Sequence, residues 1–476
     1  MLKPAIGLAQ RSATFPPSMR GALASLSLSM MLSSLGTSSA NVALPTLAAA
    51  FSASFEQVQW VVLAYLLAIT IVIVSVGKLG DLAGRRRVLL AGIALFSIGS
   101  ALCALAPSLP LLLAARLVQG LGAAAMMALS MALVRDTVPH SARGRALGML
   151  GTMSAIGTAL GPALGGVLMA QLGWPAIFVM NVPPGIAAYF LARRFLAPDV
   201  LEARIRPRFD HLGMALLGFT LAAYSLAMTL GRASFGVLNI CMLALAALGL
   251  YCFVRTERCA AAPLVQLDLF RDPVLGASLL MSATVSTVMM ATLVVGPFYL
   301  SHALGLSAGG LGMVLALGPV AAAFCGVPAG RWTDRFGASP VTVAGLLTMS
   351  CGSLALALMP LAAGLGGYLA CIVSMTVGYA LFQTANNSAI MTRAEGSQAG
   401  LVSGMLNLAR NLGLVTGAAA MGSVFAHGAG APNLLTASPE AIAHGMRLAF
   451  GAAAMMTIAA LCVALPRLRR DVDAGA

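Results

Sequence analysis

Residues 77–84 read GKLGDLAG, and residues 330–337 read GRWTDRFG. Both stretches fit the pattern G-[KR]-x-x-D-x-x-G, and each follows an apolar run long enough for a helix. The two copies begin 253 residues apart in a chain of 476 residues. Two related halves are a common plan of membrane transporters, with the substrate site between the halves near the membrane midplane. The repeat therefore predicts a chain built from two similar halves.

The composition indicates that lipid is the solvent of this chain. Hydrophobic residues make up 59% of it and charged residues only 9%, whereas soluble domains have about a quarter charged residues. A soluble protein this apolar lacks the polar groups to cover its surface. The net charge of +14 does not indicate nucleic acid as a partner, because the basic residues stand in short runs between apolar stretches. The eight cysteines have no paired spacing, so neither a metal site nor a disulfide framework is predicted.

Fourteen apolar runs approach the ~20 residues that a helix needs to cross a membrane. Helices are expected because backbone polar groups in lipid must pair within the segment. The first run is predicted to stay as a helix rather than to be a cleaved signal peptide, because it is long enough to span and many spans follow. The predicted fold is all-α and integral to the membrane. The predicted spans cover residues 21–44, 60–76, 88–105, 111–134, 146–170, 175–191, 212–230, 235–254, 274–300, 311–329, 341–361, 365–391, 401–425 and 446–465.

Basic residues orient these spans. With the N-terminus in the cytoplasm, 24 of the 28 Lys and Arg residues fall in cytoplasmic segments, and two, Arg232 and Arg447, fall on the opposite side. An excess of this kind is typical of cytoplasmic loops. We therefore expect a multi-pass protein of the bacterial inner (plasma) membrane with both termini cytoplasmic. Two six-helix halves, 1–195 and 273–476, then flank a linker, 196–272, that carries two extra spans.

The repeated stretch has a candidate mechanical role. Asp81 and Arg85 are four residues apart, so they are predicted to meet on one face of a helix. A carboxylate there is also suited to the positive N-terminus of a neighbouring helix. Such contacts can hold a cytoplasmic gate shut and release it when the halves rock. The alternative is an ordinary membrane-edge loop whose arginines only set the topology. The gating candidates are Gly77, Asp81, Gly84, Arg85 and Asp334.

Four stretches together resemble the major facilitator superfamily, in particular its fourteen-span drug:proton antiporter branch. Residues 77–86 match the superfamily's G-x-L-x-D-x-x-G-R-R, and residues 116–122, RLVQGLG, match its R-x-x-Q-G-x-G. Residues 157–166, GTALGPALGG, match the G-x-x-x-G-P-x-x-G-G associated with exporters, and residues 181–185, NVPPG, look like its N-V-P-x-G. The resemblance covers nearly the whole chain. It implies the major facilitator fold, with two six-helix halves plus a two-helix insertion.

The exporter-like stretch has a packing interpretation. Gly157, Gly161 and Gly165 are four residues apart and so share a helix face, which permits close approach of a neighbouring helix. Pro162 removes a backbone donor and can bend the helix. With Gly166, these residues form the predicted helix-packing motif. Glycines of this kind also pack helices in membrane proteins that transport nothing.

Polar residues inside the predicted spans are candidates for a substrate cavity. Arg116 lies about five residues, or ~8 Å, inside the outer end of the fourth span, where an uncompensated charge is costly. It either orients a site for anionic or carbonyl groups, or it only fixes the architecture by pairing with carbonyls. Buried amides have the same two interpretations, since they also link helices. The resemblance implies that these spans surround the central cavity. The cavity candidates are Asn41, Tyr65, Arg116, Gln119, Tyr379, Gln383 and Arg410.

The first span departs from the branch that the chain resembles. That branch reads L-D-x-T-I-V-N-V-A-L-P, whereas residues 35–45 here read LGTSSANVALP, with Gly36 at the Asp position. The resemblance implies that this carboxylate serves proton coupling and cation binding. No acidic residue falls in the interior of a predicted span to replace it. The cavity is therefore predicted to favour neutral or anionic solutes over dications, with a weaker dependence on a proton gradient than in relatives that keep the Asp.

Together these observations predict a secondary transporter that exports small amphipathic molecules by alternating access, with protons as the coupling ion that the resemblance implies. Uptake or facilitated diffusion of a neutral or anionic metabolite is the alternative. A polytopic membrane enzyme or receptor is a third class, but no cluster of His, carboxylates or a nucleophile–base pair supports an enzyme. No G-x-x-x-x-G-K-[ST] stretch is present, so ATP is not expected to drive transport within this chain. The expected partners are a small-molecule substrate and membrane lipid, with no cofactor and with a monomeric state.

Overall fold

The computed structural model describes residues 17–139, 143–199, 210–229, 236–260, 272–393, 399–430 and 434–475, and no β-strand occurs in them. The helices are α1 (Pro17–Val42), α2 (Leu44–Ala50), α3 (Phe55–Ala83), α4 (Arg85–Ala104), α5 (Leu109–Thr137), α6 (Arg143–Leu172), α7 (Ala176–Val179), α8 (Val182–Phe195), α9 (His211–Thr229), α10 (Val237–Cys259), α11 (Pro273–Phe298), α12 (Ala308–Phe336), α13 (Ala338–Leu358), α14 (Gly364–Arg393), α15 (Ala399–Thr416), α16 (Gly422–Ala429) and α17 (Pro439–Gly475). Two π-helical segments, Tyr299–Ala303 and Gly417–Met421, continue α11 and α15.

Thirteen helical stretches in the described residues are long and apolar enough to cross a membrane. They coincide with the second to the fourteenth predicted span, so the prediction of an all-helical chain with many spans is confirmed. The 26 residues of α1 would extend ~39 Å, enough to cross the hydrocarbon core. This helix is rich in serine, and it is not among the thirteen apolar stretches. The count of fourteen stays a prediction.

Most helices pack with others from the same part of the chain. In α1 to α8, which we call the N-terminal group, α1 packs against α6, and α3 and α4 pack against α5. In α11 to α17, the C-terminal group, α13 packs against α14 and α17, and α11 packs against α15. Helices α9 and α10 pair with each other. The two largest seams between the groups lie between α6 and α12 and between α3 and α15.

We call the end of the helices that is farthest from the arginine-rich segments the opposite end. At this end the two helix groups are in contact. Phe55 of α3 meets Phe298 of α11 and Phe425 of α16 edge-on, with ring centroids 4.8 and 5.4 Å away. Gly166 of α6 lies so close to Gly312 of α12 that a Cβ on Gly166 would stand 2.8 Å from the Gly312 Cα. Aromatic and glycine contacts thus hold the two groups together at this end.

The α6–α12 seam is open at the end that carries the arginine-rich segments, which we call the basic end. Gly148 lies 18 residues before Gly166 on α6, and Gly330 lies 18 residues after Gly312 on α12. Eighteen residues make about five helical turns, so each residue lies on the same helix face as the contacting glycine of its helix. A Cβ on either residue would meet nothing within 4 Å. Along this seam the groups are therefore in contact at the opposite end and apart at the basic end.

Candidate functional site

A buried arginine links three helices of the N-terminal group. Arg116 on α5 is fully buried. Its Nε donates to the Val61 carbonyl oxygen on α3 at 2.8 Å, and its Nη1 donates to the Gly36 carbonyl oxygen on α1 at 3.1 Å. Nη1 also donates to Oε1 of Gln119, one turn along α5, at 2.6 Å. The side chain therefore ties α1, α3 and α5 together, largely through backbone acceptors.

The charge of Arg116 is compensated without a carboxylate. Its guanidinium carbon lies 4.2 Å from the centre of the Tyr65 ring and 5.8 Å from that of Phe178. Cation–π attraction of this kind strengthens when both partners are out of water. In the described residues Arg116 forms no ion pair, and its Nη2 has no hydrogen-bond partner. Because an unpaired buried donor is costly, this guanidinium is suited to a further negative or carbonyl group.

The other candidates from the first half of the chain are buried within the same group. Tyr65 donates its hydroxyl hydrogen to the Ser33 carbonyl oxygen at 2.8 Å, and Gln119 donates from Nε2 to Ser100 at 2.8 Å. Asn41 donates from Nδ2 to the carbonyl oxygen one turn earlier, and its Oδ1 has no partner in the described residues. All three candidates are fully buried. In this conformation they form the polar interior of the N-terminal group and do not line an exposed surface.

The candidates from the second half lie elsewhere. Tyr379 and Gln383 on α14 and Arg410 on α15 are all partly buried. Gln383 follows Tyr379 by one turn on the same face. Within the described part of the chain these three side chains form no hydrogen bond or ion pair. The structure does not bring them to Arg116.

Gly36 places α1 against Arg116 and leaves no acid there. Its carbonyl oxygen accepts from the guanidinium, and a Cβ at this position would stand 3.0 Å from the Tyr65 hydroxyl oxygen and 3.0 Å from the Phe96 ring. These neighbours would have to move by a few tenths of an ångström to admit a side chain. A carboxylate introduced at position 36 would then lie within the network of Arg116.

Gly84 separates two helices in the first copy of the repeated stretch. α3 ends at Ala83, α4 begins at Arg85, and Gly84 between them has a φ of 98°, which favours glycine. Across this break Arg85 forms ion pairs with Asp81 and Asp136, each at 2.8 Å. The predicted contact between Asp81 and Arg85 is present. The prediction that they share one helix face is wrong, because the helix ends between them.

Asp199, at the start of the linker, completes this cluster and is not among the candidates from the sequence. Its carboxylate oxygens accept hydrogen bonds from the backbone N–H groups of Arg86 and Arg87, at 2.8 and 3.0 Å. These N–H groups lie at the N-terminus of α4, where a negative charge is favourable. A Cβ on Gly84 would overlap this carboxylate. The contact expected between a carboxylate and a helix N-terminus is thus made by Asp199 and not by Asp81.

The second copy repeats the glycine break without these ion pairs. Gly337 has a φ of 87°, its N–H donates to the Thr333 carbonyl oxygen at 3.0 Å, and α13 begins directly at Ala338. Asp334 is exposed, and Ala338 stands where the first copy has Arg85. In the described residues Asp334 forms no ion pair. The backbone break is duplicated, whereas among the described residues the charge cluster is seen at the first copy only. Gly77, the remaining gating candidate, lies within α3, and a Cβ there would meet nothing within 4 Å.

Three glycines of α6 lie against α1. A Cβ on Gly157 would overlap the Met31 carbonyl oxygen, and a Cβ on Gly161 would overlap the Ser38 hydroxyl. At Gly165 a Cβ would stand 3.3 Å from the side chain of the facing valine. The small residues thus allow the two helix backbones to approach closely.

Pro162 and Gly166 lie on another face of α6, toward the C-terminal group. A Cβ on Gly312 of α12 would overlap the Pro162 carbonyl oxygen and stand 2.8 Å from the Gly166 Cα. The exporter-like stretch therefore makes two contacts, one inside the N-terminal group and one across the α6–α12 seam.

We expect Gly157→Ala to separate α1 from α6 and to lower the unfolding temperature and the yield of folded protein. The added Cβ would overlap a backbone carbonyl oxygen, which cannot rotate away. The matched control is Gly151→Ala on the same helix, where a Cβ meets nothing within 4 Å and where alanine favours the helix by about 1 kcal/mol. Unfolding temperatures in detergent measure the difference, and equal values for the two variants would contradict the packing interpretation.

The sequence matches the Major Facilitator Superfamily over residues 26–418 and 279–474. The uncharacterized transporter YebQ of Escherichia coli is 34% identical over 85% of this chain and 88% of its own length. The riboflavin transporter RibZ of Clostridioides difficile is 31% identical over 84% of this chain and 86% of its own. The multidrug resistance protein Stp of Mycobacterium tuberculosis is 34% identical over 84% of this chain and 75% of its own.

Solved transporter structures share the fold. A bacterial homologue of the human lysosomal transporter Spinster, in an inward-facing and unoccupied conformation, has a TM-score of 0.68 at 16% identity, covering 95% of this chain and 97% of that one. The xylose transporter XylE of E. coli, in a partially occluded inward-open conformation, has a TM-score of 0.62 at 14% identity, covering 93% and 98%.

Proposed function

Because the chain belongs to the Major Facilitator Superfamily, we propose that it exports small amphipathic molecules across the bacterial cytoplasmic membrane by alternating access. The observation that carries this proposal is the unequal α6–α12 seam, in contact at Gly166 and Gly312 and open five turns away. Alternating access requires two states in which opposite ends of such a seam are closed. Export as the direction is supported by the similarity to Stp, a multidrug resistance protein.

The proposed architecture has fourteen spans, with α1 as the first. The N-terminal half is 1–195, the C-terminal half is 273–476, and the segment 196–272 inserts α9 and α10. An even number of spans places both termini on the side of the basic end. That side is the cytoplasm if the excess of arginine follows the usual bias, and the protein then acts in the inner membrane as a monomer.

A topology test follows from this arrangement. A fluorescent reporter that matures only in the cytoplasm, fused after Ala476, is expected to fluoresce. A reporter active only in the periplasm should work when it is inserted near Arg232, between α9 and α10. Both expectations rest on the 24-to-2 distribution of basic residues. A periplasmic C-terminus would show that the number of spans is odd.

The charge cluster at the first glycine break is proposed as one side of the cytoplasmic gate. In this conformation Asp81, Arg85, Asp136 and Asp199 bond within the N-terminal group and its linker. The Asp81 side chain is still 53% exposed, so it can accept a further donor from the C-terminal group when the basic end closes. Asp334, exposed at the second break, lies on the opposing group.

We expect Asp81→Asn to lower transport per inserted molecule much more than it lowers the amount of inserted protein. An exposed ion pair contributes only about 0.2–1 kcal/mol to stability, so the fold should survive its loss. The matched variant Asp334→Asn removes an acid that forms no ion pair in the described residues, and its effect should be smaller. If Asp81→Asn is inserted normally and its transport per molecule is unchanged, the gating role is contradicted. The arginines of this loop would then serve only to set the topology.

The solute is proposed to be neutral or anionic. The buried cluster of Arg116, Tyr65, Gln119 and Asn41 then maintains the N-terminal group, and the partly buried Tyr379, Gln383 and Arg410 contact the solute. Neither set contains a carboxylate, so a cation would lose its hydration without gaining a counter-charge. The same lack supports weak coupling to protons.

A second candidate function is uptake of a neutral or anionic metabolite. The observation that favours it is the similarity to RibZ, a riboflavin transporter, over 84% of this chain. A panel of drugs and metabolites, tested in a drug-sensitive bacterial strain with and without the protein at two external pH values, separates the two functions. Lower accumulation of panel drugs in cells with the protein is the expected result. Higher accumulation of a metabolite, with no drug affected, would replace export by uptake.

A further inference from the structure

The inserted helix α9 covers the α3–α15 seam, whereas neither inserted helix of the described chain covers the α6–α12 seam. On α9, Thr229 accepts a hydrogen bond from Nε1 of Trp60 on α3 at 3.0 Å. Farther along, Gly218 of α9 lies against Ile71 of α3, where a Cβ would stand 3.3 Å from the isoleucine side chain. These two contacts are separated by 11 residues of α9, or ~16 Å, so α9 follows α3 through much of the membrane.

The same helix also touches the C-terminal group. Tyr224 on α9 lies near Thr416 at the end of α15, and α9 contacts the π-helical segment Gly417–Met421 that continues α15. Tyr224 is six residues from Gly218, about a third of a turn around the helix axis. One side of α9 thus faces α3, and the adjacent side faces the end of α15 and its π-helical continuation. Helix α9 therefore contacts both helix groups, and we call it the wedge.

Helix α10 adds a second layer outside this wedge. Gly249 of α10 packs against Phe219 and Thr220 of α9, so that a Cβ on Gly249 would stand 3.1 Å from the phenylalanine ring. Leu238, Ile240 and other large apolar residues of α10 are exposed. Exposed apolar residues of this kind on a membrane helix face lipid. A lipid chain on this side of the protein therefore meets α10 and α9 before it reaches the seam.

The α6–α12 seam has no such cover in the described residues. Neither α9 nor α10 contacts α6 or α12 to a comparable extent. At the basic end, Gly148, Gly151, Gly326 and Gly330 all have open space where a Cβ would project. On α12, Val327 lies one turn before Gly330 beside this opening and is 65% exposed. The opening is thus lined by glycines and apolar side chains, which suits an acyl chain better than water.

We propose that the protein exchanges amphiphiles with the bilayer on one side only, through the basic end of the α6–α12 seam. The wedge α9 closes the second seam to the bilayer. Lateral access of a membrane-dissolved solute rests on the proposed export function, whereas access of lipid chains to the seam does not. Arg331 and Arg335 are exposed at the end of α12. They favour an amphiphile whose polar end is anionic or zwitterionic, because a phosphate or carboxylate at the membrane surface attracts arginine.

Lipid access can be measured without transport, through the quenching of tryptophan fluorescence by phospholipids with brominated acyl chains. The full-length protein is reconstituted as Gly148→Trp in the open seam and as Ile71→Trp beneath α9. Tyr224→Trp is a second covered position, in case Ile71→Trp does not fold. Phe324→Trp on the exposed face of α12 is the reference for full lipid contact. The native tryptophans contribute equally to all variants, so each is compared with the unmodified protein.

Gly148→Trp is expected to lose nearly as much of its added fluorescence as Phe324→Trp. Ile71→Trp and Tyr224→Trp should lose little. Quenching of Gly148→Trp by aqueous iodide and not by brominated lipid would overturn the proposal, since the opening would then be filled with water. Equal quenching of the open and covered positions would overturn it as well. Neither quenching measurement needs a substrate, so a failed export assay would not affect the test of lipid access.

Discussion

Gly312→Val is expected to reduce transport to the background of cells without the protein. A Cβ at this position would overlap the Pro162 carbonyl oxygen and stand 2.8 Å from the Gly166 Cα. Both are backbone atoms of α6, so they cannot turn aside as a flexible side chain does. The opposite end of the α6–α12 seam would no longer close, and the conformation in which the basic end is open would be lost.

The matched control for this variant is Gly309→Val, one turn earlier on α12. A Cβ on Gly309 meets nothing within 4 Å, so the same change in residue type is expected to leave transport near normal. Transport per inserted molecule is measured for both, with the amount of inserted protein determined by quantitative labelling. Normal turnover of Gly312→Val would show that the closed seam is not a required state of the cycle.

Gly36→Asp is expected to improve transport of dications and to increase the dependence on a proton gradient. The Gly36 carbonyl oxygen is 3.1 Å from Nη1 of Arg116, so the new carboxylate would lie near the guanidinium and offset its charge. A dication placed about 10 Å from an unpaired arginine, at an effective dielectric constant of ~20, is repelled by about 3 kcal/mol. Offsetting the arginine charge then corresponds to roughly a hundredfold in dication binding.

The control for the added charge is Gly36→Asn, which has the shape of Asp without its negative charge. Both variants force the Tyr65 hydroxyl and the Phe96 ring to move slightly, because a Cβ would stand 3.0 Å from each. Transport of a dication and of a neutral dye is compared in inverted vesicles with an imposed pH gradient, normalised to inserted protein. Strong gradient-driven transport of the dication by the unmodified protein would contradict the inferred role of the missing acid.

Local spacing in the sequence was sufficient to predict several contacts. The four-residue spacing of Gly157, Gly161 and Gly165 places them on one helix face, and all three lie against α1. The spacing of Asp81 and Arg85 likewise predicts their ion pair. The helix break between them was missed, because a four-residue spacing gives no sign of the positive φ of Gly84 or of the Asp199 carboxylate packed against it.

Contacts between distant parts of the chain could not be predicted in this way. Asp199 binds N–H groups 112 and 113 residues away, and neither partner has a side-chain signature. Arg116 was recognised as a buried charge, but its acceptors at Gly36 and Val61 are backbone carbonyl groups, which every residue has. The position of α9 between α3 and α15 depends on packing surfaces that become defined only in the folded chain.

The central claim is that the two helix groups close alternately across the α6–α12 seam. It is tested most directly by spin-label distances in a cysteine-free background. One pair, Gly148→Cys with Gly330→Cys, reports the basic end, and the other, Leu172→Cys with Gly309→Cys, reports the opposite end. On addition of a transported solute, the first distance is predicted to shorten and the second to lengthen, in equal fractions of the two labelled proteins. Distances that stay constant, or that change in the same direction at both ends, would contradict alternating access.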